Sequence, residues 1–151
     1  TSYGGVVRSS RWHPLRFELV EPPAKGGTLV DSINMNASLI SKEALGEVGF
    51  LSEYFIHSGA DYEYGLKICR AGGVVLLGPG YSGRCNRNDM KGRSDEPGIT
   101  IGTRYRRLLG VKEQPLGQRL EYFRRFGGGL WFMLFLVPYV SLIFKHWFRR
   151  R

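Results

Sequence analysis

Two carboxylates, Asp61 and Glu63, stand near the head of the stretch His57 to Gly73, HSGADYEYGLKICRAGG. A carboxylate at the mouth of a helix can take a proton from a hydroxyl, and the small residues Gly59 and Ala60 would let a ligand approach it. The same residue type also serves as a helix cap, because its oxygens accept the first unpaired amide hydrogens. Glu63 precedes Lys67 by one turn, the order that suits an exposed ion pair. Both readings, base and cap, are open from these residues alone.

Other polar residues could join such a site. Asn34 and Asn36 alternate within Leu29 to Ile40, so on a strand both would project from one face and offer amides that donate and accept. A partly exposed strand followed by a turn is the plainer alternative. Arg84 to Arg93, RCNRNDMKGR, gathers Arg84, Arg87, Lys91 and Arg93 in a polar loop that could clasp a phosphate. Asp89, Asp95 and Glu96 offset much of that charge, as in a merely solvated loop.

Short elements must position these groups. Tyr3 to Val7 and Arg16 to Val20 read as strands, separated by polar, basic residues. Pro22-Pro23 and Gly26-Gly27 then break the chain as a loop or an open hairpin. Ser41 caps a helix over Lys42 to Val48 that Gly49 closes. Phe50, Leu51, Tyr54 and Phe55 are expected to pack. Asp61 and Glu63 open the next helix, whose Tyr64, Ile68 and Ala71 recur at core-facing spacing before Gly72-Gly73 stops it. Val74 to Leu77 is a short apolar strand turned away by Gly78-Pro79-Gly80. Tyr105 to Leu109 starts a helix, and Pro115-Leu116-Gly117 interrupts before another over Gln118 to Phe126.

The 151 residues, 42% of them hydrophobic, suffice for one domain with a real core. The chain opens on Thr1 with no signal peptide, as a piece of something longer would. Cys69 and Cys85 lack metal-type spacing, and so few cysteines suit a reduced cytosolic setting, with a disulfide between them left open.

Charge is distributed unevenly. From Thr1 to Thr103 eleven basic side chains meet eleven acidic ones, so the whole excess of +9 lies between Arg104 and Arg151. There it brackets LWFMLFLVPYVSLIF, Leu130 to Phe144, an uncharged run of about 22 Å as a helix, short of the roughly 30 Å hydrocarbon core. Pro138 is expected to kink it. Arg124 and Arg125 precede the run, while Lys145, Trp147, Phe148 and Arg149 to Arg151 follow it. That pattern suits a segment lying in the inner leaflet, with cations drawn to anionic lipid. A buried helix against a partner, or a true span in a longer chain, are the alternatives. Nucleic acid is disfavoured, because the aromatics lie inside the apolar run and do not interleave with the arginines.

Together these pieces resemble the second half of a family 2 glycosyltransferase of the GT-A fold. The residues that carry the likeness are NMNASLISKEALGEVGFLSEYF, Asn34 to Phe55; GADYEYGLKICRAGG, Gly59 to Gly73; and LLGPG, Leu76 to Gly80. The resemblance implies inverting transfer of a sugar from a nucleotide-diphosphate donor to a hydroxyl acceptor, in cell-surface or lipid-linked glycan synthesis at the cytoplasmic face of the plasma membrane. Asp61 falls where the family's general base stands. Glu63, Asn34, Asn36, Arg84 and Arg87 would shape the acceptor pocket.

Two departures stand out. Ala60 replaces the first acid of the family's Glu-Asp pair, and Cys85 stands where many members carry a metal-binding histidine, so no metal ligand is assigned to this chain. His57 is a poor stand-in. The family's nucleotide-binding βαβ half and its Asp-x-Asp motif are absent, since Asp31 is followed by Ser32 and Ile33. A divalent cation, Mg or Mn, would then be bound mainly by residues ahead of Thr1, and the isolated 151 residues should be inactive.

As the resemblance implies, the expected fold is α/β, a partial GT-A-like mixed sheet with flanking helices, followed by a C-terminal apolar helical segment. The acceptor-side part would cover 1–103 and a basic helical tail 104–151, with membrane association over 127–148. The rival from another class is a non-catalytic basic module that binds anionic membrane or nucleic acid.

Overall fold

Val6 and Val7 are β-branched, and the run from Arg16 to Val20 alternates, so each favours extended chain. In the computed structural model, which describes residues 3–55, 59–84 and 91–148, they form β1 (Gly5–Arg8) and β2 (Phe17–Leu19). The elements that follow are β3 (Thr28–Val30), β4 (Ser32–Ile33), α1 (Lys42–Val48), α2 (Ala60–Arg70), β5 (Val75–Leu77), α3 (Ile101–Leu108), α4 (Leu116–Phe126), a 3-10 turn (Gly128–Leu130) and α5 (Trp131–Phe148). The protein is mixed α and β. The described residues hold five α-helices and two small sheets in which every pairing is antiparallel, where one mixed sheet was expected. Two compact units result, Thr1–Tyr54 with Gly59–Arg87, and Phe55–Ser58 with Asn88–Arg151. The step in charge at 103/104 falls inside α3.

In the first unit β1 lies between β2 and β4, with Val6 opposite Leu19 on one side and Ser32 on the other. β3 pairs with β5, setting Val30 opposite Val75. Only Asp31 separates β3 from β4, so the extended stretch Thr28 to Ile33 serves both sheets. Asp31 is tied to β1 twice: its N–H donates to the Val6 carbonyl (2.9 Å), and its Oδ2 accepts the Arg8 N–H (2.7 Å). The proline and glycine pairs between β2 and β3 therefore mark a loop and no hairpin, since neither strand pairs with the other.

Val30 and Ser32 share the inward face, where Val30 joins Tyr64, Ile68 and Val75 in the core. The opposite face is open: Leu29 is 65% exposed and its registered partner Leu76 is 60% exposed, so β5 alternates and is not buried throughout. Ser41 caps α1 by accepting the Ala44 N–H (3.1 Å), and Gly49 (φ 71) ends it. α2 ends where Gly72 (φ 85) adopts the left-handed conformation and the Gly73 N–H returns to the Ile68 carbonyl (3.0 Å).

The structure departs from three further expectations. The strand after β3 stops at Ile33, and the chain turns through Asn36, whose N–H donates to the Asn34 carbonyl (3.0 Å); the two asparagines thus do not alternate along a strand. Ala71 is exposed, because it lies past the last turn of α2. Phe50, Leu51 and Tyr54 are exposed and only Phe55 of that apolar cluster is buried.

In the second unit, Thr100 caps α3 through the Thr103 N–H (3.3 Å), so the helix starts four residues before Tyr105. Arg104 donates to the Ser94 and Glu96 carbonyls (2.7 and 3.0 Å), and Arg107 pairs with Glu96. Glu113 Oε1 accepts from the Ser94 N–H (3.0 Å) and hydroxyl (3.2 Å). Pro115 takes the N-cap position of α4, which absorbs Leu116 and Gly117 into its first turn. α4 buries Tyr122 and Phe123, and the Phe123 ring meets Phe135 of α5 edge-on at 6.3 Å. α5 runs through Pro138, with Ser141 donating to the Pro138 carbonyl (3.0 Å) and Tyr105 of α3 donating to the Tyr139 carbonyl (2.6 Å). One side of α5 remains uncovered in this unit: Phe132, Met133, Leu136, Val137 and Val140 are exposed. At 18 residues α5 rises about 27 Å. No helix among the described residues is long and apolar enough to cross a membrane.

Candidate functional site

The first turn of α2 is entered through Gly59, which has φ 89 and caps the helix without a side chain. Asp61 therefore sits inside the turn. Its Oδ1 accepts the Tyr62 N–H (2.9 Å), and the residue stays partly exposed. Burial raises the Asp61 carboxyl above the ordinary 3.8, against the pull of the backbone N–H groups of Tyr62, Asp61 itself and Met35. A carboxylate in this state is a stronger base than one in water, and it also satisfies amides that the helix start leaves unpaired.

Tyr62 forms the neighbouring wall. Its hydroxyl accepts from Asn34 Nδ2 (3.4 Å), its ring lies 5.3 Å from that of Phe17, and its carbonyl accepts from the Ser32 hydroxyl (2.8 Å). Burial pushes the Tyr62 hydroxyl up; the Asn34 amide pulls it back, and the Asp61 charge adds to the rise. Asn34, Asp61 and Tyr62 are thus brought together by β4 and α2.

Glu63 is not with them. It is fully buried (0% exposed), and Lys67 reaches the Phe50 carbonyl (3.0 Å), so the exposed Glu63–Lys67 pair does not form. Residues two apart on a helix point about 200° apart, which sends Glu63 inward when Asp61 faces out. Asn36 is exposed in its turn and Arg84 is exposed beyond β5. Arg87, Cys85 and His57 lie outside the described residues.

A surface recess of about 400 Å³ is lined by Arg11 and Trp12, in the loop between β1 and β2, and does not include Asp61. No group of three or more His, Cys, Asp or Glu among the described residues converges as a metal site would. Tyr62 and Ser32 escaped the sequence reading. The aromatic beside the acid was a visible signal for Tyr62, whereas nothing local distinguishes Ser32.

No protein-family model, no curated protein and no solved structure matches the chain.

Proposed function

We propose that this chain is the acceptor-side part of an inverting glycosyltransferase of the GT-A type, working at the cytoplasmic face of a membrane on a lipid-linked or cell-surface glycan. The observation that carries the reading is Asp61: a partly exposed carboxyl whose burial raises its affinity for a proton, beside Tyr62 and Asn34. In this account the acceptor oxygen bonds to the anomeric carbon of the donor sugar as its proton passes to the Asp61 carboxylate. The bond from that carbon to the diphosphate breaks, and the nucleoside diphosphate leaves with the electron pair. Tyr62 and Asn34 position the acceptor.

The resemblance assigns a divalent cation, Mg or Mn, to residues ahead of Thr1. Among the described residues no cluster of His, Cys, Asp or Glu is fit to hold it.

What supports the membrane is the exposed apolar side of α5 together with the basic excess of 104–151. In the intact protein, Asp61→Asn is expected to lower sugar transfer about 100-fold or more while nucleotide binding persists. Full transfer by that variant would dismiss Asp61 as the base.

A second reading draws on the amide contacts of Asp61 and on α5. The carboxylate would only brace its helix, and the chain would be a non-catalytic module that binds anionic membrane. It expects binding that falls steeply with salt and ignores Asp61→Asn.

A further inference from the structure

Arg119 of α4 lies close to two rings, its guanidinium carbon 5.6 Å from the centre of Phe123 and 5.7 Å from that of Tyr139 on α5. The rings attract its charge, but they supply no acceptor for its N–H groups. Its Nε is buried without a hydrogen-bond partner among the described residues, and so is the Tyr139 hydroxyl. Other arginines of this unit are differently placed: Arg104 is committed to backbone carbonyls, Arg107 to Glu96, and Arg124 and Arg125 to Glu121. Glu113, the carboxylate that bears on Arg119 through charge, already accepts from Ser94 and stands 3.9 Å from Arg93.

A buried donor left without an acceptor is costly, and a planar guanidinium fork suits an oxyanion. The same helix pair exposes the apolar side of α5, so the anion that satisfies both features carries acyl chains.

We infer that Arg119 and the Tyr139 hydroxyl form a phosphate-binding site between α4 and α5, filled by the phosphate of a lipid headgroup while the acyl chains lie along α5. The inference rests on the membrane reading above and adds to it a specific headgroup contact, separate from sugar transfer.

The test is flotation of the full chain with vesicles of phosphatidylcholine alone and of phosphatidylcholine containing phosphatidic acid. Wild type should favour the second. Arg119→Gln should weaken that binding about tenfold, whereas Arg124→Gln, with the same loss of charge, should change it less than about twofold. Tyr139→Phe keeps the ring, and its melting temperature checks folding; it should weaken binding less than Arg119→Gln does. Equal losses from Arg119→Gln and Arg124→Gln would reduce the effect to general charge and overturn the site. Equal binding of wild type to both vesicles would overturn it and leave the membrane reading standing. Binding to neither would remove the membrane reading itself, and the lipid with it. In that case a shift of the Arg119 Nε–H resonance with inorganic phosphate would keep a phosphate site and overturn only its lipid source, and no shift would overturn both.

Discussion

Gly65 of α2 lies directly against Ser32 of β4: a Cβ at position 65 would stand 2.5 Å from the Ser32 hydroxyl oxygen and 2.8 Å from its Cα. That hydroxyl donates to the Tyr62 carbonyl one turn back (2.8 Å), so the absent side chain and the serine together set how closely the helix approaches the strand. Gly65→Ala should destabilise the fold by about 1–3 kcal/mol in urea denaturation. Adding Ser32→Gly should recover part of the loss, because the clash is with the serine itself. Additive effects would show that the two do not meet.

Asp61 gives a stability signature independent of catalysis. Burial raises its folded pKa above the ordinary 3.8, so its contribution is complete below that pH and is lost as pH rises through the folded value. Asp61→Asn, which cannot ionise, should therefore melt higher than wild type at pH 7, with the gap closing below pH 3.8. A variant that melts lower at pH 7 would mean that the charged form is the favoured one.

Glu121 has the opposite sign. Hydrogen bonds from Arg124 and then Arg125 hold its carboxyl down to about 2, against the usual 4.5. Its contribution is present above pH 4.5 and disappears as the pH falls toward 2. Glu121→Gln should remove that part of the acid sensitivity of α4, read by thermal melts across the same range. An unchanged acid profile would show the triad to be without effect.

Tyr64 is 1% exposed and its hydroxyl donates to the Gly49 carbonyl (2.9 Å), joining α2 to the end of α1. Tyr64→Phe should cost about 1 kcal/mol through the stranded carbonyl, while Tyr64→Ala should cost about 3–5 kcal/mol through the cavity as well. Urea midpoints measure both.

Much of the first unit was legible because its signals are local. Ser41, Gly49 and Gly72-Gly73 bound their helices wherever those helices pack, and β1, β2 and β5 followed from β-branched residues and alternation. Burial was less legible. Phe50 and Leu51 look like core residues, yet which apolar side chains are covered depends on contacts between distant segments. The opposed directions of Asp61 and Glu63 were available from helix geometry, whereas the exit of the chain from its strand at Ile33 was not announced by any breaker. Pairings such as Arg119 with Tyr139 depend on how α4 and α5 meet, which spacing along the chain does not specify.

Because one run of six residues, Thr28 to Ile33, belongs to both sheets, a misalignment there is penalised twice. Sliding it by a single position would turn Val30 and Ser32 out to water and drive Leu29 and Asp31 into the interior, at β5 and at β1 in the same stroke. Neither ribbon can be mispaired while the other stays correct, so this short segment acts as a proofreading device for the assembly of the first unit.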